Sequence, residues 1–231
     1  MAGRSRTSEV DRLHQVYEGY DHDGSARARW SLDNRGNRAI HAERAARARA
    51  SLGGVRGPVL DLGCGEGRVL DELDGVLPDA GTRIGVDLRS SRLEVAARRL
   101  PSVCFAQAEG SALPFPSGAF GLVLAFTLFS SILDPQLAQH LAGETARVLR
   151  PGGQVLWYDL RRSNPANPAV RPWSPSAVQA LFPGWSADLS ALTVLPPLAR
   201  RLGPATSVAY PVLARVRPLA THLLGTLTKP A

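Results

Sequence analysis

Three carboxylates, Asp61, Asp87 and Glu109, stand where this sequence could grip a polar ligand. The first opens the stretch DLGCGEG, in which Gly63, Gly65 and Gly67 alternate with Cys64 and Glu66. Glycines at such a place let the backbone come close to a ligand, and a helix that follows offers unpaired N–H groups and its dipole to an anionic group. Asp61, two residues before Gly63, is placed to receive an ammonium group or to order the turn. Asp87 comes twenty residues after Gly67, where an acid can accept the hydroxyls of a ribose. Glu109, followed by Gly110 and Ser111, sets an acid and free N–H groups near an adenine edge. A dinucleotide site would carry GxGxxG; here the spacing is GxGxG, and Arg68 occupies the position needed for close helix packing. The spacing counts against a dinucleotide, although a glycine motif alone decides little in either direction.

The elements that must hold these groups can be read from apolar periodicity. PVLDLG (58–63) reads as a first strand, Arg68 to Leu77 as a helix, TRIGVDL (82–88) as a second strand and Ser91 to Leu100 as a second helix. SVCFAQAE (102–109) and AFGLVLAFT (119–127) read as strands three and four, followed by a helix over Gln136 to Leu149, an RPGG turn and a fifth strand, GQVLWYDL (153–160). Alternation at this spacing indicates parallel βαβ units in a doubly wound sheet. The three acids then end three consecutive strands on one rim. Upstream, residues 1–7 read as frayed; a helix starts at Ser8, with Val10, Leu13, Val16 and Tyr17 on one face. An irregular stretch (21–36) leads to a helix after Asn37 that Gly53 and Gly54 stop. Downstream, a proline-rich loop and a short helix (Ala177 to Phe182) precede two β-like runs, 187–195 and 221–228, giving seven strands with a hairpin-like last pair. No repeat or linker interrupts the chain. It reads as one domain: a helical lid segment (1–54), a cofactor-binding core (55–160) and C-terminal substrate-side strands with an insert (161–231).

With 231 residues and 44% apolar content, the chain can bury one substantial core. Its formal net charge of +7 would suit nucleic acid or an anionic surface. Yet Lys229 is the only lysine, and an arginine-and-alanine bias of this kind also follows from a GC-rich genome, so no nucleic-acid partner is expected. Cys64 and Cys104 lack CxxC or Cys/His companions, which argues against zinc and a disulfide framework and for a cytoplasmic setting. No stretch reaches the roughly 18 apolar residues of a membrane span.

Several motifs now stand in order: VLDLGCGEG, IGVDL, AEGSALPFPSGAFGLVLAF and LRPGGQVLWYD, from about Val59 to Leu160. In this order the sequence resembles the class I S-adenosylmethionine-dependent methyltransferases. The resemblance implies an α/β fold, a doubly wound Rossmann-like seven-stranded sheet that is mostly parallel with an antiparallel last strand. It implies S-adenosylmethionine as cofactor. Carried over by position, Asp61, Gly63, Cys64, Gly65 and Gly67 approach its methionine portion, Asp87 with Leu88 holds the ribose, and Glu109 with Gly110 and Ser111 meets the adenine; Phe126 joins them at the end of the fourth strand. The family more often has aspartate in place of Glu109 and an acid in place of Gly121; the latter change bears on strand packing.

A sulfonium methyl is already activated, so such an enzyme mainly aligns a nucleophile and excludes water. A hydroxyl nucleophile also needs a base. The acceptor should enter above strands four and five, by FTLFSSILD (126–134) and WYDLRRSNP (157–165). Many small-molecule members carry histidines in the first of these loops; here Ser130 and Ser131 stand there. Asp159 is the leading candidate base, with pairing to Arg161 or Arg162 as its structural alternative, and His14 the second; His140 reads as a surface or packed residue. No metal-binding carboxylate set and no NPPY-like signature appears, so neither a metal nor nucleobase methylation is expected. The acceptor is expected to be a small molecule, most simply the hydroxyl of a natural product or sugar; methylation at nitrogen or carbon is the alternative, and a dinucleotide oxidoreductase the more distant one. Tyr17, Tyr20 and Trp30 would close over the cofactor or staple the first helix, while Arg35 or Asn37 would meet its carboxylate. The insert at 196–218, apolar and dotted with arginine, could wall a lipid-like substrate, touch a membrane surface or simply pack.

Overall fold

The computed structural model describes residues 6–22, 28–77 and 81–231. Its centre is a seven-stranded sheet made of β1 (Val59–Leu62), β2 (Arg83–Asp87), β3 (Cys104–Gln107), β4 (Phe120–Phe126), β5 (Leu149–Leu160), β6 (Ser186–Val194) and β7 (Ala220–Thr228). Their order is β3-β2-β1-β4-β5-β7-β6. Strands β1 to β5 pair in parallel, and β7 runs antiparallel to both β5 and β6. The doubly wound sheet with an antiparallel last strand is therefore as expected.

β1 and β4 are buried throughout, as short strands covered on both faces must be. One face packs Leu62, Val123, Ala125 and Trp157 against Leu137 and Leu141 of a helix over Pro135–Val148 and Val178 of another over Pro175–Leu181. The other packs Leu122, Leu124, Leu156 and Tyr158 with Ala48 of a helix over Arg35–Ser51 and with Leu70 and Leu73. We number the helices α1 (Arg6–His22), α2 (Arg35–Ser51), α3 (Arg68–Glu72), α4 (Ser90–Arg99), α5 (Pro135–Val148), α6 (Pro175–Leu181), α7 (Pro196–Arg201) and α8 (Thr206–Leu213). A third cluster, Ile40, Val194, Ala199 and Tyr210, seats α7 and α8 on α2.

Several boundaries differ from expectation, each for a local reason. α2 begins at Arg35 because Asn34 is its cap, accepting from the N–H groups of Gly36 and Asn37; Asn37 lies inside the helix and donates to the carbonyls of Arg29 and Ser31. α1 runs on to His22, and of the residues expected to fray, 1–5 lie outside the described residues, as do 23–27 of the expected irregular stretch. α3 ends at Glu72, although Leu73 and Leu77 beyond it remain buried. The RPGG segment is part of β5, its irregularity taken up by a register shift against β4 between Phe120 and Leu122. At Gly121, a side chain would run into the carbonyl oxygen of Arg56, so the acid common in the family has no room here.

Candidate functional site

The strand order reverses between β1 and β4, so the connections on either side leave toward opposite faces and a crevice opens beyond the strand ends. A cavity of about 200 Å³ occupies it. Its floor is Leu62 and Gly63 after β1, Asp87, Leu88 and Arg89 after β2, Glu109, Gly110 and Ser111 after β3, and Phe126, Thr127 and Leu128 after β4. Its roof is α1, which contributes Val10, Leu13, His14 and Tyr17.

The turn after β1 is left-handed at Gly63, Gly65 and Gly67, with φ of +75°, +53° and +75°, which side chains rarely adopt. Gly63 faces the cavity, and a Cβ there would come within 2.8 Å of Leu128 Cδ1. Gly65 donates its N–H to Asp87 Oδ2 at 2.9 Å, while the N–H of Arg89 donates to Oδ1 at 3.0 Å. The turn and the second strand end are thus tied together by the carboxylate. Gly67 instead serves packing, its α carbon facing Ala96 and Leu100.

Cys64 turns away from the cavity toward Gly85, and its N–H, like that of Gly63, donates to the carbonyl of Val86. Burial pushes its thiol far above the ordinary range, so it is no nucleophile. Asp61 is buried beside the turn and its Oδ2 has no hydrogen-bond partner. Burial, reinforced by the charge of Asp87, pushes its carboxyl up to about 8. Glu109 accepts from the Ser111 hydroxyl.

Asp159 does not meet Arg161 or Arg162. Its Oδ2 accepts from the N–H of Ser130 at 2.9 Å and its Oδ1 from that of Leu160 at 2.8 Å, while Arg161 donates to the carbonyls of Arg217 and Ala220. Fully buried, it is absent from the cavity wall; desolvation raises its carboxyl to about 6 despite the hydrogen bonds from Ser130. It holds the one-turn helix Phe129–Ser131 in place, with the Phe129 ring tilted against Trp157, centres 4.6 Å apart. His14, by contrast, lines the cavity, whereas His140 is exposed on α5.

Of the aromatic residues expected to close over the site, only Tyr17 does so among the described residues. It bonds Ser131 Oγ at 2.8 Å and lies under the Arg92 guanidinium, 4.8 Å from its ring centre. Burial raises its phenol above the ordinary value, offset in part by Ser131 and Arg92, so it stays protonated. Tyr20 packs edge-on against Tyr17 and accepts from Asn167. Trp30 is exposed beneath Arg200, and neither it nor Arg35 nor Asn37 lines the cavity. Residues that sequence reasoning missed include Arg89, Arg92 and Thr127, whose φ of +49° is costly for a β-branched residue. Nothing in the sequence signals that strain. Glu9 is another: it accepts from the N–H groups of Leu133 and Asp134 and pairs with Arg12.

A doubly wound sheet with a glycine turn, a carboxylate after β2 and an acid after β3 around one crevice is an arrangement that suits a nucleoside-bearing ligand. In comparison with known proteins, residues 59–153 match the methyltransferase domain family. That match covers the strands and turns that build the cavity floor, from β1 into the start of β5, and so this part of the chain is similar to methyltransferase domains. The chain is 37% identical over 108 residues to a phthiotriol/phenolphthiotriol dimycocerosates methyltransferase of Mycobacterium ulcerans, covering 46% of this chain and 38% of that protein. It is 39% identical over 116 residues to the fatty-acid O-methyltransferase of Mycolicibacterium smegmatis, covering 49% and 40%. The chain thus spans about two fifths of the length of the curated relatives it matches. A solved S-adenosylmethionine-dependent methyltransferase from Mesorhizobium loti shares the fold with a TM-score of 0.60 at 18% identity, over 82% of this chain and all of that one (100%).

The residues present fit the cofactor. Asp61, like Asp159, is buried and not part of the cavity wall, but its orphaned Oδ2 beside the turn is left to pair with a cationic donor, and the close approach at Gly63 leaves backbone rather than side chain facing the cavity.

Proposed function

We propose that this chain transfers the methyl group of S-adenosylmethionine to a hydroxyl oxygen of a small molecule, such as a natural product or a sugar derivative with an apolar body. The observation that carries this reading is the roof of the cavity: α1 places His14 on a wall that also presents the apolar side chains of Val10, Leu13, Leu128, Ile132 and Leu137. The bound cofactor supplies an electrophilic methyl. Asp61 would receive its ammonium, Gly63 and Gly65 would bring backbone to the methionine portion, Asp87 and Leu88 would hold the ribose, and Glu109, Gly110 and Ser111 the adenine. Phe126 closes the floor. The imidazole of His14 would take the hydroxyl proton as the new O–CH3 bond replaces the S–CH3 bond, the neutral thioether S-adenosylhomocysteine being the leaving group. Asp159 acts through the loop it fixes, and α1 excludes water from a site where alignment provides most of the acceleration. Support comes also from relatives named for methylation of fatty acids and of phthiotriol lipids, which agree with an apolar acceptor.

Calorimetric titration with S-adenosylmethionine and S-adenosylhomocysteine, with Asp87→Ala alongside, tests the cofactor half. Micromolar binding weakened by the substitution is expected; no binding by the folded wild type would overturn it. Methyl transfer from labelled cofactor to a panel of long-chain alcohols, hydroxylated polyketides and alkyl glycosides tests the rest. His14→Asn should lower kcat about 100-fold while leaving cofactor affinity unchanged; an undiminished kcat would remove His14 as the base.

A further inference from the structure

Among the described residues, the large apolar side chains left exposed are Trp30, Leu32, Leu195, Val208, Val212 and Val216. All belong to one accessory layer, formed by the approach to α2 and the β6–β7 connection. Arg200 joins its two halves: its guanidinium covers Trp30 at 5.0 Å, its NH1 donates to the carbonyl of Arg29, and its own carbonyl accepts from Asn34. Gly36 admits the backbone of Ala199 where any side chain would collide.

Charge is concentrated in the same layer. Residues 28–38 contain Arg29, Arg35 and Arg38 against Asp33, and residues 195–217 contain Arg200, Arg201, Arg215 and Arg217 against no acid. That excess of six accounts for most of the chain's formal +7. On α8, Thr206 and Tyr210 face inward while Val208 and Val212, four residues apart, face solvent, Val208 at 75% exposure; Val216 extends the row beside Arg215 and Arg217.

We propose that this layer docks the protein on an anionic lipid bilayer, with the valines and Trp30 entering the headgroup region and the arginines meeting phosphate. Exposed aliphatic side chains rimmed by arginine are what a bilayer interface rewards. A nucleic acid would use the arginines and leave Val208, Val212, Leu32 and Leu195 without partners. Self-association would set two strongly positive patches against each other.

Topology gives the docking a direction. β6 and β5 both run antiparallel to β7, so β6 ends at Val194 on the same rim as the strand ends that form the cavity floor. The connection that bears the patch leaves and returns on that rim. A docked molecule therefore turns the edge carrying its cavity toward the lipid. This placement is independent of which acceptor is methylated.

Co-sedimentation of the full chain with phosphatidylcholine vesicles, with and without phosphatidylglycerol, tests the proposal. Binding to the anionic vesicles should exceed that to neutral ones by about tenfold and weaken with salt. Val208→Asp/Val212→Asp and Arg201→Glu/Arg215→Glu should each lower it about tenfold, with circular dichroism and cofactor affinity unchanged as controls on folding. Equal or absent binding to both vesicle types, or binding indifferent to the valine substitutions, would overturn it. So would two other results: a dimer in light scattering that Val208→Asp/Val212→Asp dissociates, or binding to single- or double-stranded oligonucleotides, in place of vesicles, that the arginine substitutions abolish.

Discussion

Asp61 combines two demands that conflict in the free protein. Its carboxylate is buried next to Asp87 with one oxygen unpartnered, so the folded chain holds its proton to about 8 whereas the unfolded chain releases it near 3.8. Between these values the native state binds more protons than the unfolded one, so this residue's contribution makes stability fall as pH rises through the window. Above about pH 8 the cost is fully present. Asp61→Asn should therefore raise the stability of the free protein at pH 8–9 by on the order of 1–3 kcal/mol and weaken S-adenosylmethionine binding at least about tenfold. Denaturant titrations and calorimetry across pH 5–9 check both; a variant less stable than wild type at pH 9 would contradict the account. An arriving ammonium favours the carboxylate, so binding below pH 8 should expel a proton, seen as a dependence of the binding heat on buffer ionisation. The positions of Asp61 and Asp87 at strand ends were legible in sequence because strand periodicity fixes where a strand stops, whereas β3 is Cys104–Gln107 rather than 102–109 and leaves Glu109 in the turn beyond it. The orientation of Asp159 was not legible: which N–H groups it satisfies depends on the conformation of residues 129–131, whose turn follows from tertiary packing of Phe129 on Trp157.

At the scale of elements, α1 is held to the site by a polar clasp. Glu9 accepts from Leu133 at 2.7 Å, Arg12 bridges Glu9 and the Ser131 carbonyl, and Tyr17 bonds the Ser131 hydroxyl. Burial opposes the Glu9 charge, but Arg12 and the two backbone N–H groups outweigh it and leave its carboxyl below the ordinary 4.5. A depressed native value means stabilisation present above 4.5 and lost as pH falls through the native value. Glu9→Gln keeps the shape but removes the charge, and should cost about 1–3 kcal/mol, with faster amide exchange at Leu133 and Asp134 than elsewhere in the loop. Exchange unchanged at those amides would show that the clasp does not hold the loop. The sequence displayed the apolar face of α1 clearly, since Val10, Leu13 and Tyr17 recur at helical spacing. It could not show the clasp, whose partners lie more than a hundred residues apart.

For the molecule as a whole, strand count, order of elements and the antiparallel last strand were readable because alternating strands and helices leave few topologies. The accessory layer was not, because its two halves come from distant parts of the chain and meet through Arg200 and Gly36 rather than through any pattern. Ligand binding should be felt across the whole sheet, since the cavity floor joins four strand ends. Saturation at about 100 times Kd adds roughly 2.7 kcal/mol, which for a chain of this size raises Tm by about 5–10 °C. Differential scanning fluorimetry with S-adenosylhomocysteine measures it, and Asp87→Ala should lose the shift.

The segment from Ser130 to Asp134 is gripped twice: Asp159 anchors its start from the sheet, and α1 fastens the rest from above. The roof therefore cannot swing free while the floor stays still; opening means breaking charge-assisted bonds at the clasp while the anchor holds. Under the methyl transfer proposed above, traffic through the site becomes the slow event of each cycle. The first methylated product should form in a rapid burst, followed by a steady rate set by how often the roof lets go.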